Sequence, residues 1–215
     1  MGSKMRMIRR LLPIFLTSLI LFEIVAYTTT VPAPSEKFFQ MYVLGFTGNA
    51  GNYYPHNSSS LQIGENVQWN LAVVNDMGLF QYVSIQVKLG SNQTTDSPND
   101  TLARPSPAPL ITEFKHFILD NETWNVPFYW QIVNYTTTTE GRVSIHSLTI
   151  DNVTLVLANS PVCPAINSCS FRLIFELWTW NVDSDNFQFG WVNGDQQRTA
   201  WLQIWFNLAP GGQHR

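Results

Sequence analysis

The chain has 215 residues, of which 45% are apolar and 13% aromatic, so it can fill a hydrophobic core and is not a disordered protein. Charged residues make up 13%, about half the usual share. After Tyr27, eight Lys and Arg stand against fourteen Asp and Glu, a net charge of −6. An acidic chain without a basic stripe lacks the cations that neutralise phosphates, which excludes nucleic acid as a partner.

Residues 1–27 have the pattern of an export segment. Four cations precede an apolar stretch at 11–27: Lys4, Arg6, Arg9 and Arg10. The length of this stretch, seventeen residues, is intermediate between that of a signal peptide's apolar core and that of a membrane span. Two interpretations therefore stay open: a retained signal-anchor helix and a signal cleaved after Ala26. The positive-inside rule predicts a single-pass protein with its N-terminus in the cytoplasm and the rest outside.

A linker and one β domain follow the apolar segment. Residues 28–37 contain two prolines and several hydroxyl residues, which favour an extended, hydrated backbone. The domain should span 38–215, because no later segment has an amphipathic helical period with caps. Strand-like runs occur at 38–45, 66–75, 79–90, 110–120, 126–135, 141–150, 153–158, 171–181 and 198–208.

These runs and their punctuated turns predict an antiparallel, immunoglobulin-like β-sandwich. The runs at 66–75 and 79–90 are separated by a short turn and should pair as a hairpin. Residues 91–109 have no period and should form a long exposed loop. The run at 110–120 also fits a helix.

Six Asn-x-Ser/Thr sites predict glycosylation of an exported protein: Asn57, Asn92, Asn99, Asn121, Asn134 and Asn152. Asn57, Asn92 and Asn99 fall in predicted loops, and Asn121 starts a predicted turn, where a glycan can face solvent. The alternative is that these sites are only polar turn residues.

Cys163 and Cys169 are the only cysteines, and they close a seven-residue loop. An isolated pair of this kind predicts a disulfide in an oxidising compartment, with modest stabilisation. The alternative, a metal-binding thiol pair, lacks nearby ligands that would complete a site.

The sequence contains no recognisable catalytic constellation. The four histidines are scattered, and Asp183, Asp185 and Asp195 fit a polar turn better than a calcium site, since the EF-hand pattern is missing. We therefore predict no enzyme activity, no cofactor and no metal.

Tryptophans at two-residue spacing are the candidate binding residues. In the last two long runs, Trp178 and Trp180 share a face, and so do Trp201 and Trp205. Exposed in a row, they would stack on sugar rings or anchor a protein partner. Covered by loops, they would be structural.

The runs FFQMYVLGFTGNAGNYYP, LQIGENVQWNLAVVNDMG and FQYVSIQVKLG resemble the archaeal domain-of-unknown-function family numbered 1616. The order is similar: a Y-V-L-G opening, an A-x-N-Y-P turn (here AGNYYP, one residue longer), a G-E loop and an alternating strand. FRLIFELW and WLQIWFNL resemble that family's closing strands. Over Phe38 to Leu208, the resemblance implies an immunoglobulin-like domain on an archaeal cell surface behind a membrane helix, with no catalytic residues.

These observations lead us to expect a membrane-anchored, N-glycosylated surface protein that works as a structural or binding module. Its expected partners are the membrane and proteins of the envelope, including further copies of itself. A carbohydrate-binding module that uses the tryptophans is the alternative, and an extracellular enzyme is a third.

Overall fold

A computed structural model describes residues 13, 15–27, 36–94, 97–166 and 168–209, in two compact units, Met1–Glu36 and Lys37–Arg215. In the first unit, residues 15–27 form helix α1, where the Thr17 hydroxyl donates to the Pro13 carbonyl at 2.7 Å. Within the described residues, no helix is long and apolar enough to cross a membrane. The predicted basic flank before residue 11 lies outside the described residues, and so do residues 28–35 of the predicted linker at 28–37.

The second unit, here called the β domain, consists of strands and confirms the all-β prediction. One 3-10 turn, Pro55–Asn57, lies among them. The strands of its described part are β1 (Phe38–Gly45), β2 (Ser60–Leu61), β3 (Val67–Asp76), β4 (Gln81–Ser91), β5 (Leu110–Ile118), β6 (Glu122–Thr137), β7 (Val143–Ile150), β8 (Val153–Val156), β9 (Val162–Cys163), β10 (Phe171–Asn181), β11 (Asn186–Phe189), β12 (Trp191–Asn193), β13 (Gln196–Arg198) and β14 (Trp201–Leu208).

The strands form two six-stranded sheets and a short β12–β13 ribbon. The first sheet has the order β1-β3-β6-β7-β8, with β9 also paired to β7, and every pair in it is antiparallel. The second has the order β2-β14-β10-β4-β5, with β11 paired to β10. It is antiparallel except where β2 runs parallel to β14. The run at 110–120 is therefore a strand and not a helix.

The two sheets share one hydrophobic core. Phe175 of the second sheet packs against Trp69 and Phe128 of the first, with ring centroids 6.1 and 5.2 Å apart. Trp130 and Phe206 meet across the same space at 4.9 Å. All five side chains are at most 2% exposed, and burying each stabilises the fold by roughly 1.5–3 kcal/mol.

The predicted hairpin between β3 and β4 is wrong, because these strands belong to opposite sheets. The Asn75 side chain turns the chain across: its Nδ2 donates to the carbonyls of Leu79 and Ile118 at 2.9 and 3.0 Å, while its Oδ1 accepts from Met77 N. Asn75 is fully buried, and its amide satisfies backbone groups of the β3–β4 connection and of the end of β5.

The prediction that 91–109 is an exposed loop is also wrong in part. Ser106 and Ala108 are only 3% and 7% exposed, because residues 97–109 lie over the outward face of the second sheet. The Lys88 ammonium donates to the Ser106 carbonyl at 2.7 Å, and Ser106 N donates to a Glu176 carboxylate oxygen at 2.5 Å. Charged side chains on that face thus hold the segment down.

Candidate functional site

The four candidate tryptophans lie on one face of the second sheet. The register pairs Glu176 with Trp201 and Arg172 with Trp205, so the outward residues of β10 and β14 stand side by side. This is the face that the segment 97–109 partly covers. Each of the four tryptophans is half-buried, so they do not form an exposed row.

Each of these tryptophans has a partner within the fold. The Trp178 indole donates to Glu176 at 3.1 Å, and the Trp201 indole donates to Asp100 at 2.6 Å. Trp180 meets the Phe187 ring edge to face at 5.1 Å. The Arg172 guanidinium lies 4.7 Å from the centre of the Trp205 ring, within cation–π range.

A buried ion pair joins this face to its cover. Lys88 Nζ and Glu176 Oε2 are 2.9 Å apart, and their side chains are 8% and 0% exposed. Lys88 also donates to the Ser106 carbonyl, and Glu176 also accepts from Ser106 N and the Trp178 indole, so both charges are compensated. The pair therefore has a structural role, because it fixes the segment 97–109 over this face of the sheet.

An open hollow of about 620 Å³ lies at the end of the first sheet. Its walls come from the loop after β1, the start of β3, the middle of β6 and the β7–β8 turn. The turn AGNYYP, which carries part of the family resemblance, contributes the residues Asn52–Pro55. A volume of this size suits a small organic ligand.

Aromatic rings form the apolar part of this hollow. Phe46 and Tyr129 are 56% and 50% exposed, whereas Tyr53 and Tyr54 are half-buried. The Tyr54 hydroxyl donates to the Trp205 carbonyl, and burial raises the pKa of this phenol, which keeps its proton on the donor. The Trp69 indole donates to the Tyr53 carbonyl at 2.5 Å, which fixes the same loop from the core.

Primary amides supply the polar part of the hollow: Asn52, Asn66, Gln68 and Asn152. Gln68 faces Tyr129 across the β3–β6 pair. Among the described residues that line the hollow, none is charged. The site can therefore offer neutral donors and acceptors beside aromatic surface, but no ion pair.

Sequence analysis missed this hollow. The strand prediction at 126–135 already implied that Tyr129 points away from Phe128 and Trp130, since neighbours in a strand alternate. The sequence could therefore predict an outward-facing tyrosine at this position. It could not predict that β6 lies next to the loop after β1, because that proximity depends on the sheet order.

All six predicted glycosylation asparagines are exposed. Asn57, Asn121 and Asn152 have positive φ, which asparagine tolerates, so turn geometry alone accounts for them. Asn92 and Asn99 accept hydrogen bonds from Ser170 N and Leu102 N. Asn134 lies at a bulge in β6, has a negative φ and makes no side-chain hydrogen bond with the described residues, so its identity has no local structural cause.

Cys163 and Cys169 form the predicted disulfide, which is confirmed. Their Cα atoms are 5.6 Å apart, and both residues are buried. Cys163 ends β9 and Cys169 precedes β10, so the bond ties the first sheet to the start of the second.

Metal ligands do not cluster in the described part of the chain: no three His, Cys, Asp or Glu residues there form a metal-sized group. His116 stacks on Trp124 with ring centroids 5.1 Å apart. Asn181 Oδ1 accepts from Asp183 N and Ser184 N, which explains this acidic turn. His214 lies outside the described residues.

One end of the β domain exposes large apolar side chains. The register brings the start of β4, the end of β5 and the β10–β11 turn together there. The exposed fractions are 49% for Leu79, 64% for Phe80, 59% for Phe117, 64% for Leu119 and 82% for Val182. We call these five residues the apolar end.

Comparisons with known proteins leave the family open. No model of a known protein family matches the sequence, and no curated protein matches it. A β-glucosidase from Listeria innocua, solved in complex with gluconolactone, is similar over 61% of this chain at 14% identity, with a TM-score of 0.31. The match covers 16% of that enzyme, and a likeness of this degree carries no argument.

Proposed function

We propose that this chain is an N-glycosylated protein of the cell surface, held or exported by residues 1–27, whose β domain acts by binding. The exposure of all six sequon asparagines is the observation that carries the proposal. A glycan must face solvent, and every one of these sites meets that condition. The disulfide supports the same compartment, because such bonds persist in oxidising surroundings.

The proposed fold is an immunoglobulin-like sandwich. The second sheet, β2-β14-β10-β4-β5, corresponds to the variable-type series A′-G-F-C-C′, and β1-β3-β6-β7 occupies the places A-B-E-D. In this chain β6, which occupies the place of strand E beside strand B, comes before β7, which occupies the outer place of strand D. The usual chain order of D and E is therefore reversed. The likeness to the archaeal family 1616 is part of this proposal and rests on the motifs given above.

The apolar end supports a protein partner as the ligand of this module. Monomeric proteins rarely leave several large apolar side chains exposed together, and such patches mark interaction sites. The exposed carboxylates Asp120, Asp183 and Asp185 border it, so a partner with an apolar centre and basic rim fits best. The tryptophans are a weaker choice, because all four have partners within the fold.

Labelling of intact cells with a membrane-impermeant amine reagent tests the surface location. Lys37 and Lys115 are exposed, whereas the Lys88 side chain is 8% exposed and paired. We expect labels on Lys37 and Lys115 and none on Lys88, which reports that the domain stayed folded. On a retained anchor, Lys4 is labelled only after the cells are broken.

Two outcomes would contradict this location. Labelling of Lys37 and Lys115 only after lysis places the β domain inside the cell. Labelling of Lys4 together with Lys37 on intact cells reverses the predicted orientation.

A further inference from the structure

We propose that the hollow at the end of the first sheet is a binding site for a neutral saccharide. This inference goes beyond the protein partner proposed above, because it assigns a second ligand class to a separate site, and it rests on the proposal that the β domain acts by binding. The hollow is about 620 Å³, within the range of small-ligand sites and large enough for one or two sugar rings.

The chemistry of the walls favours a sugar over other small ligands. Tyr129 and Phe46 leave about half of their surface open to a ligand, and a pyranose presents an apolar C–H face that packs on such rings. Asn66, Gln68 and Asn52 line the same space. Each primary amide offers two donors and an acceptor, which matches neighbouring sugar hydroxyls.

The absence of charged residues from the described lining restricts the class of ligand that the hollow can bind. A phosphate, carboxylate or sulfate would enter without a cation to compensate its desolvation, which is costly. A cationic ligand would lack a carboxylate in the same way. The hollow therefore fits neutral sugars.

The walls are held before any ligand arrives. The Tyr54 hydroxyl is bonded to the Trp205 carbonyl, and its ring meets Trp69 edge to face at 5.8 Å. The Tyr53 hydroxyl donates to the Val43 carbonyl at 3.3 Å. Ordering of the loop on binding then costs little, because the aromatic residues are already placed.

The side chains of Asn52, Asn66 and Gln68 make no hydrogen bond with other described residues, so their amides are available to a ligand. Asn152 is also a sequon asparagine at the rim of the hollow. The saccharide could thus be a free sugar or the glycan of this chain. Both sources share the same chemistry, and the experiment below separates them.

Saturation-transfer NMR on the full-length chain in detergent tests the proposal. The probes are methyl glycosides of glucose, galactose and mannose, N-acetylglucosamine, and sodium glucuronate as a charged comparison. Protein from a host without N-glycosylation should bind at least one neutral probe, with a dissociation constant on the order of 1 mM, and should not bind glucuronate measurably.

Two variants of the hollow and one matched control define its position. Tyr129→Ala and Asn66→Asp should each raise the dissociation constant about tenfold or more, because one removes the stacking ring and the other adds a charge. Phe117→Ala removes a similarly exposed aromatic side chain outside the hollow and should leave the dissociation constant unchanged. Unfolding midpoints near that of the parent chain show that each variant is folded.

The native glycosylated protein separates the two sources. If it binds free sugar only after Thr154→Val removes the sequon and leaves Asn152 in place, the chain's own glycan occupies the hollow, which supports the proposal. If neutral probes fail to bind the unglycosylated chain, or if Phe117→Ala weakens binding as much as Tyr129→Ala, the proposal is overturned. Neither failure affects the labelling result, so the surface location is judged separately.

Discussion

Lys88 and Glu176 show how charged residues on an outward sheet face can be buried as a compensated pair. Their ion pair is covered by Ser106, and the carboxylate also receives the Trp178 indole proton. Compensated charges of this kind contribute little net stability as a pair, but each is costly when left alone. Trp178 lies beside this pair and is half-buried by its contacts with both residues.

Substitution of Lys88 by Met should destabilise the β domain by about 3–5 kcal/mol, because it leaves the fully buried Glu176 carboxylate without its cation. Lys115→Met is the matched control. It breaks the Lys115–Glu113 pair, whose side chains are both 37% exposed, and should cost less than about 1 kcal/mol. Urea unfolding measures both; equal losses would show that the Lys88–Glu176 pair is not buried in solution.

At the scale of elements, strand periodicity could be predicted and strand partners could not. The alternation of Val67, Trp69, Leu71 and Val73 places β3 correctly, since all four are buried. The same alternation in β4 suggested a hairpin, but periodicity tells which face is buried and not which strand is next. The buried amide of Asn75 decided the crossing, and no sequence pattern marks that role.

Removal of the disulfide by Cys163→Ala with Cys169→Ala should cost about 2 kcal/mol, the loop-closure entropy expected for a seven-residue ring. The expected effect is modest because a short loop restricts the unfolded chain little. Unfolding of the parent chain with and without reductant should give a similar difference. A loss above about 5 kcal/mol would mean that the bond holds native strands that cannot pair without it.

The connection between β11 and β12 depends on Gly190. Its φ is +76°, and a Cβ there would lie 1.9 Å from the Arg198 carbonyl oxygen. Gly141 has a φ of +80° with no atom within 4 Å of a Cβ, so it shares the strain but not the clash. Gly190→Ala should therefore destabilise the β domain by about 1–3 kcal/mol more than Gly141→Ala does, as measured by thermal unfolding. Equal effects would refute the close approach.

At the scale of the whole molecule, composition and patterning predicted an antiparallel β domain and its disulfide. The candidate site was harder to predict from the sequence than the fold. Trp201 and Trp205 were predicted to share a face, but the partner of the Trp201 indole is Asp100, in the segment 91–109, whose sequence has no period. The hollow combines Phe46, Tyr129 and Asn152, which lie far apart in sequence and meet only through the sheet order.

Under the proposed surface location, the apolar end and the neutral hollow are two separate kinds of contact on one β domain. These surfaces lie on different strands of the β domain. A partner and a saccharide can therefore be tested with separate variants.

The most direct test of the central claim is the intact mass of the protein purified from its native membrane, before and after glycan removal, with non-reducing peptide mapping. We expect a mass above the 24.5 kDa of the polypeptide, or above that of the processed chain if the signal is cleaved. The excess should disappear with the glycans, Asn134 should be among the occupied sites, and the peptide with Cys163 and Cys169 should be two hydrogens lighter than its reduced form. A mass equal to the unmodified, reduced, full-length chain would contradict the surface glycoprotein.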